Sequence, residues 1–159
     1  MPKKYLSLNV VIFISFVVDR ILKLFFIKNP SQRLGSDFFY NILSFHFEKN
    51  FGVAFGILLN KIFLLVLVIL VIFVLVGFLF KSYLRKNILE IFSLTLIIIG
   101  AISNLIDRLR YGFVIDYIDV PFFTVFNLAD CMITVGVVAL LLGILKNKKS
   151  DKQLPSSSG

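Results

Sequence analysis

The sequence predicts an all-α membrane protein with four transmembrane helices and a small extracytoplasmic β-like cradle between helices 1 and 2. Of its 159 residues, 58% are hydrophobic and only 16% are charged, a balance that soluble domains do not show. Four apolar segments also approach the roughly 20 residues that cross a hydrocarbon core. Because backbone groups in lipid need internal hydrogen bonds, these segments are expected to be helices.

The four segments differ in polarity. Their approximate bounds are residues 5–27, 62–80, 88–108 and 126–145. The first contains Asp19, Arg20 and Lys23, whereas the second contains no charge. No small-residue cleavage site follows the first segment, so it is predicted to be a retained helix rather than a signal peptide. Residues 1–149 are expected to form one membrane domain, and residues 150–159 a flexible polar tail that is partly non-native.

The basic residues predict an orientation. Nine of them fall on one side of a four-helix topology: Lys3, Lys4, Lys81, Arg85, Lys86, Lys146, Lys148, Lys149 and Lys152. The other side has six: Lys28, Arg33, Lys49, Lys61, Arg108 and Arg110. The positive-inside rule therefore places both termini in the cytoplasm. This distribution makes the net charge of +8 a topology signal, and no nucleic-acid partner is expected.

The remaining sequence features are few. A single cysteine, Cys131, excludes an internal disulfide, and with one histidine a Cys/His metal site is not expected. The connection at residues 29–61 is too long for a turn. It contains the run N-I-L-S-F-H-F-E, whose partial alternation of apolar and polar residues is typical of strands. This run is the predicted cradle.

Three aspartates in the apolar segments are predicted to lie at a similar depth. Counted from the cytoplasmic ends, Asp19, Asp107 and Asp130 lie about 21, 28 and 23 Å along their helices, in a core about 30 Å thick. Asp116 belongs to the outer connection between the last two helices. Carboxylates are expensive in a membrane and usually mark a site. The predicted cluster near the outer boundary favours an interfacial enzyme over a transporter, whose site tends to lie at the midplane.

The chemistry that these residues allow is acid–base hydrolysis. The sequence offers no convincing Ser–His or Cys–His pair. Two aspartates held close share one proton, because like charges do not both ionise cheaply. The ionised member then takes a proton from water, and the protonated member hydrogen-bonds the scissile carbonyl and aids the leaving amine.

Five blocks of sequence resemble the lipoprotein signal peptidases, also called signal peptidase II, over about residues 5–145. The blocks occur in the family's order. They are D-R-I-L-K with Asp19 and Lys23, N-F-G-V-A-F-G at residues 50–56, G-x-x-x-N-x-x-D-R with Gly100, Asn104, Asp107 and Arg108, V-I-D-Y at residues 114–117, and F-N-L-A-D at residues 126–130. Departures from the pattern include Ser103, where the family commonly has glycine.

The resemblance implies a catalytic pair, Asp116 and Asp130. It implies supporting roles for eight polar or glycine positions: Asp19, Lys23, Asn50, Gly52, Asn104, Asp107, Arg108 and Asn127. Phe55 is a candidate for a lid over the site. The implied reaction is removal of the signal peptide from a bacterial prolipoprotein, by a cut on the N-terminal side of a diacylglyceryl-modified cysteine.

The resemblance also implies the setting of that reaction. The enzyme would be an aspartyl peptidase of the bacterial cytoplasmic (inner) membrane with its site near the outer face. It would need no metal or cofactor, would contact membrane lipid, and would be blocked by cyclic peptide antibiotics such as globomycin. The cleft is expected to function in a monomer.

Two other function classes remain open from the residues alone. The first is a metal-dependent enzyme acting on phospholipid head groups, with Mg²⁺ bound by Asp107, Asp116, Asp119 and Asp130. The second is a proton-coupled carrier or a non-catalytic membrane subunit.

Several of these residues are also candidates for purely structural roles. Asp19 and Lys23 are expected to pair, as are Asp107 and Arg108. Asn127 is a candidate helix cap, and Asp119 a surface acid.

Overall fold

The computed structural model describes residues 3–32, 34, 43–52 and 60–152. Each predicted apolar segment forms a helix, and two strands lie between helices. The elements in chain order are α1 (Lys3–Lys28), β1 (Ser44–Asn50), α2 (Lys61–Arg85), α3 (Ile88–Tyr111), β2 (Val114–Asp119) and α4 (Leu128–Lys152). The last three residues of α4 lie in the segment that was predicted to be a flexible tail.

Three helices in the described part of the chain are long and apolar enough to cross a membrane: α2, α3 and the Leu128–Lys146 part of α4. Helix α1 is as long, but its second half contains Asp19, Arg20 and Lys23. Helix α3 is central, since it packs against the other three helices. Helix α2 buries only Leu64 and Ser82, so nearly all of its apolar surface is left for lipid.

Polar caps define the ends of α2 and α3. The side chain of Asn60 accepts hydrogen bonds from the first turn of α2, and Asn87 does the same for α3 by accepting from the Glu90 N–H. Between these helices, Lys86 adopts a left-handed conformation with φ of 55°. Gly112, with φ of 85°, ends α3 in the left-handed conformation that glycine adopts at low cost.

Two glycines let α3 and α4 pack closely. A Cβ atom added to Gly100 would lie 2.6 Å from the carbonyl oxygen of Ala129, and one added to Gly136 would lie 2.7 Å from that of Ser93. The two helices are therefore in backbone contact at these points. This contact brings the first turn of α4, which contains Asp130, against α3.

The sheet differs from the predicted cradle. Strand β1 does lie between the first two helices, but it pairs antiparallel with β2 from the second outer connection, where only a loop was predicted. The register places Glu48 opposite Asp116 and Asn50 opposite Val114. An isolated strand cannot pair its own backbone groups; β1 pairs with β2 and, at Phe45, with Leu34 of its own connection. This pairing brings Asn50 and Asp116 together.

Candidate active site

A buried lysine is the centre of the polar cluster. Nζ of Lys23 donates to Oδ1 of Asn104 at 2.7 Å, and it lies 2.8 Å from Oδ2 of Asp107 and 3.3 Å from Oδ2 of Asp19. The side chains of Lys23 and both aspartates are fully buried. The predicted ion pair between Asp19 and Lys23 is thus confirmed. A lone charge at this depth would be costly, so the paired groups depend on one another.

The predicted ion pair between Asp107 and Arg108 is wrong. Asp107 instead pairs with Arg20, whose Nη1 lies 2.6 Å from Oδ1, and its Oδ2 accepts from the N–H of Ile115 at 3.3 Å. Arg108 donates from Nη2 to the carbonyl oxygen of Gly52 at 2.8 Å. Consecutive residues on a helix point about 100° apart, so the two side chains reach different neighbours. No role was predicted for Arg20, although it lies beside Asp19 in the sequence.

Asp19 connects the start of α4 to β2 and α3 through hydrogen bonds. Its carboxylate accepts from the hydroxyl of Ser103 at 2.5 Å, from that of Tyr117 at 3.1 Å and from the N–H of Ala129 at 3.2 Å. The Tyr117 hydroxyl also accepts from the N–H of Leu128 at 3.1 Å. From the sequence, Ser103 stood out only as a departure from a family pattern, and Tyr117 only as the last residue of the V-I-D-Y block.

Tyr117 is held rigidly in this position. Its ring is buried and stacks on that of Phe26, with 5.3 Å between centroids and an interplanar angle of 8°. Burial, together with the charge of Asp19, raises the pKa of Tyr117 well above its usual range. The hydroxyl therefore stays protonated and serves as a donor to Asp19.

Asn127 and Asp130 cap α4 reciprocally. Oδ1 of Asn127 accepts from the N–H of Asp130 at 3.0 Å, and Oδ2 of Asp130 accepts from the N–H of Asn127 at 3.1 Å. This is the capping-box pattern, in which two otherwise unpaired N–H groups are satisfied at once. The suggested capping role of Asn127 is confirmed. The orientation of the Asp130 carboxylate follows from it.

Asp116 lies on β2 and is almost fully buried, with 1% of its surface exposed. Oδ2 accepts from Nδ2 of Asn50 at 2.9 Å, and Oδ1 accepts from Nδ2 of Asn127 at 2.6 Å. Burial, and then the negative charge of Asp130, raise the pKa of Asp116 to about 7, despite the opposing effect of these two hydrogen bonds. Its carboxyl group can thus exchange a proton near neutral pH.

Two amide side chains connect the aspartates. Nδ2 of Asn104 donates to Oδ1 of Asp130 at 2.8 Å. Nδ2 of Asn127 donates both to Asp116 and, at 3.2 Å, to Oδ1 of Asn104. Asp116 and Asp130 therefore belong to one hydrogen-bonded network, and the charge of one acts on the other.

A cavity of about 720 Å³ opens beside this network. Residues from α2, α3, α4 and the segment before α4 line it. The polar lining is Asn50, Asn104, Arg108, Thr124, Asp130, Cys131 and Thr134, and the apolar lining is Val68, Ala101, Val114, Phe123, Val125, Phe126, Ile133 and Val135. Nε of Arg108 is buried with no hydrogen-bond partner in the described part of the chain. The cavity thus combines an acidic end, this arginine donor and an apolar wall.

The carboxylates named as a Mg²⁺ set do not converge. Asp107 is occupied by Arg20 and Lys23. Asp119 accepts from the hydroxyl of Ser44 at 3.0 Å and lies 3.7 Å from His46. Across residues 3–32, 34, 43–52 and 60–152, no three His, Cys, Asp or Glu side chains lie together as metal ligands.

The structure brings most of the predicted site residues into one connected group. Asn50, Gly52 and Arg108 are linked to it, since Oδ1 of Asn50 accepts from the N–H of Gly52 at 3.0 Å. Phe55, the lid candidate, lies outside the described residues.

Comparison with known proteins identifies similar sequences along most of the chain. The family model described as signal peptidase (SPase) II matches residues 11–146. The chain is 42% identical over 141 residues to the lipoprotein signal peptidase of Caldicellulosiruptor bescii, which covers 86% of this chain and 89% of that protein. It is 37% identical over 150 residues to the lipoprotein signal peptidase of Lactococcus lactis, with 93% of this chain and 99% of that protein covered. It is 33% identical over 135 residues to the lipoprotein signal peptidase of Streptococcus agalactiae, with 84% of this chain and 88% of that protein covered.

A solved structure has the same fold. It is described as that of a bacterial membrane enzyme, obtained by the in meso method at 2.3 Å resolution. The TM-score is 0.78 at 23% sequence identity, with 96% of this chain and 93% of that chain covered.

Proposed function

The chain belongs to the signal peptidase II family, and from that premise we propose that it is an aspartic endopeptidase that processes prolipoproteins. The observation that carries the proposal is the network joining Asp116 and Asp130 at the end of a cavity between helices. Its substrate is a prolipoprotein whose cysteine carries diacylglycerol. The cut falls on the N-terminal side of that cysteine and releases the signal peptide.

The proposed mechanism uses one proton shared by the two aspartates. The raised pKa of Asp116, at about 7, supports a pair that holds one proton near neutral pH. The ionised carboxylate removes a proton from water, which attacks the scissile carbonyl carbon. The other carboxyl group donates a hydrogen bond to the carbonyl oxygen, and a proton then passes to the leaving amine as the C–N bond breaks.

The surrounding residues have supporting roles in this proposal. Asn104 and Asn127 fix the carboxylates through their amide groups. Nε of Arg108, which has no partner among the described residues, can donate to a backbone carbonyl of a substrate in the cavity. Lys23, Asp19 and Asp107 stabilise the helices that carry the site. The apolar wall suits either acyl chains or the signal peptide.

We also propose a membrane topology and a cellular location for the protein. Residues 1–149 form a single domain with four spans, α1 being the fourth, and both termini lie in the cytoplasm of a bacterium. The site then faces the outer leaflet of the cytoplasmic membrane. The enzyme acts as a monomer without a metal cofactor, and cyclic peptide antibiotics such as globomycin compete for its cavity.

A gel-shift cleavage assay tests this function. Purified protein in detergent receives a diacylglyceryl-modified lipoprotein precursor in the presence of a chelator. Wild type is expected to cleave it, whereas Asp116→Asn and Asp130→Asn lower the rate by about 10³-fold or more. Asp119→Asn is the matched control, since Asp119 lies on the same strand but contacts Ser44 and His46.

Three results would contradict the proposal. They are no cleavage by a folded wild type, full activity in both folded Asn variants, and wild-type activity that requires an added divalent metal. Circular dichroism of each variant establishes that it is folded.

A further inference from the structure

The segment between β2 and α4 forms a tight hairpin, called here the Phe122 hairpin (residues 118–126). Its base is the antiparallel bridge between Ile118 and Phe126, closed by main-chain hydrogen bonds of 2.7 and 3.0 Å. Its turn is closed by the N–H of Phe123, which donates to the carbonyl oxygen of Val120 at 3.0 Å. The hairpin is therefore a defined structure with a tip at residues 120–123.

The tip is unusually apolar for an exposed turn. Its sequence is V-P-F-F, and no charged residue occurs between Asp119 and Asp130. The Phe122 side chain is completely exposed, at 109% of the reference surface, and Phe123 is 56% exposed. Turn tips in water usually contain Gly, Pro, Asn, Asp or Ser, and Pro121 is the one such residue at positions 120–123. Adjacent exposed aromatic rings instead indicate a surface that meets an apolar partner.

Phe122 also adopts a strained backbone conformation. Its φ is +67°, a region in which bulky residues are rare. Glycine or asparagine would adopt this conformation at lower cost. The hairpin thus keeps a large aromatic side chain where the backbone disfavours one, and the side chain points away from the protein. Strain of this kind is typical of functional positions.

The hairpin lies where the protein would meet the membrane surface. It leads directly into α4, at the end of the bundle that carries the sheet. Its second half lines the cavity through Phe123, Thr124, Val125 and Phe126. Helix α4 also has exposed apolar side chains, among them Val135 and Val138. Aromatic residues are enriched at this depth in membrane proteins.

We propose that the tip of the Phe122 hairpin inserts into the leaflet of the bilayer at the sheet end, where Phe122 contacts phospholipid acyl chains. The partner is the lipid bilayer itself. The insertion places the part of the cavity wall formed by residues 123–126 next to lipid. The cavity then opens toward the membrane beside this wall. If the proposed function holds, on which this last step rests, a lipid-modified substrate enters sideways from the leaflet without first leaving it.

The absence of tryptophan from the chain allows a direct test. Phe122→Trp introduces a single fluorophore into the full-length protein, which is reconstituted into nanodiscs of phosphatidylcholine and phosphatidylglycerol. We expect blue-shifted emission relative to N-acetyltryptophanamide in buffer, strong quenching by lipids brominated on the acyl chains, and weak quenching by aqueous iodide. Phe73→Trp is the matched control, because Phe73 is 79% exposed in the middle of α2 and faces lipid.

The opposite pattern would overturn the proposal. Emission like that of the free fluorophore, with quenching by iodide and none by brominated lipid, would place Phe122 in water. Should the Phe122→Trp variant fail to fold, Pro121→Trp reports from the neighbouring exposed position, which is not part of the cavity lining, with the same two outcomes.

Kinetics separate the insertion from the peptidase function. Phe122→Ser is expected to raise KM for the lipid-modified precursor in nanodiscs by about tenfold with kcat unchanged, and Phe122→Leu to restore KM. Cleavage by a Phe122→Trp protein whose fluorophore lies in water would refute the insertion and leave the peptidase intact. A lipid-quenched fluorophore in a folded protein without cleavage would refute the peptidase alone.

Discussion

Asn127 donates its side-chain amide to Oδ1 of Asp116 over 2.6 Å, across the junction between β2 and α4. The same residue caps α4 by accepting from the N–H of Asp130. One side chain thus donates to the Asp116 carboxylate through its nitrogen and accepts from the main-chain N–H of Asp130 through its oxygen. Replacement of Asn127 can therefore separate the capping role from the electrostatic one.

The first prediction concerns Asn127→Ser and Asn127→Ala. Serine can still cap α4, whereas alanine cannot, so Ala should lower the free energy of unfolding by about 1 kcal/mol more than Ser does. In the native protein the hydrogen bond from Asn127 lowers the pKa of Asp116. Both variants remove this hydrogen bond. Both variants should therefore raise the pKa of Asp116 and slow cleavage similarly. Thermal unfolding and the pH–rate profile measure the two effects. Equal stabilities with unequal rates would contradict this division of roles.

The second prediction concerns the pH dependence of cleavage. Burial and the charge of Asp130 raise the pKa of Asp116 to about 7. Below that value the pair keeps its shared proton, and above it the proton is lost. The rate is thus expected to fall as the pH rises through about 7, with an apparent pKa that belongs to the pair. A rate that stays constant well above this pH would exclude the shared proton.

The third prediction is the pH dependence of stability that follows from the same shift. The pKa of Asp116 is raised from 3.8 to about 7 on folding. Its contribution to stability is therefore complete below 3.8 and is lost as the pH rises toward 7, because the unfolded chain ionises first. Asp116→Asn has no such group and should lose less stability across this range. Chemical unfolding at a series of pH values measures this difference. If the unfolding free energies of the two proteins change with pH in parallel, the raised pKa of Asp116 is contradicted.

The fourth prediction concerns the buried cation. Lys23→Met leaves Asp19 and Asp107 without their shared partner, and removal of one member of a buried ion pair typically costs about 3–5 kcal/mol. Lys28→Met, at an exposed position of the same helix, should change the unfolding temperature little. Similar unfolding temperatures for the two variants would show that the Lys23 cluster contributes nothing to stability.

The fifth prediction compares two helical glycines. In Gly100→Ala, the new methyl group meets the Ala129 carbonyl at 2.6 Å and the Ile133 side chain at 2.8 Å. It should displace the start of α4 with Asp130, lowering stability by about 1–3 kcal/mol and reducing cleavage. Gly77→Ala meets nothing within 4 Å, and should be neutral or stabilising, because alanine favours helix. Unfolding and cleavage assays of both variants test this, and a harmless Gly100→Ala would contradict the close packing.

The sequence by itself determined the four helical segments and the gathering of Asp19, Asp107 and Asp130 at one end of them. Apolar length and a fixed rise per residue are local properties, so both follow from counting residues. The ion pair of Asp19 with Lys23 was also predictable, because residues four apart share a helix face.

Only the tertiary structure decided which polar groups pair across elements. Asp107 turns to Arg20 and Lys23 rather than to its neighbour Arg108. Tyr117 reaches Asp19 from a segment that was expected to be a loop, and β1 finds its partner in β2, beyond two intervening helices. These contacts depend on how helices and strands pack, as does the close approach of α3 and α4 at Gly100 and Gly136. Since such contacts join residues far apart in the chain, no local pattern encodes them.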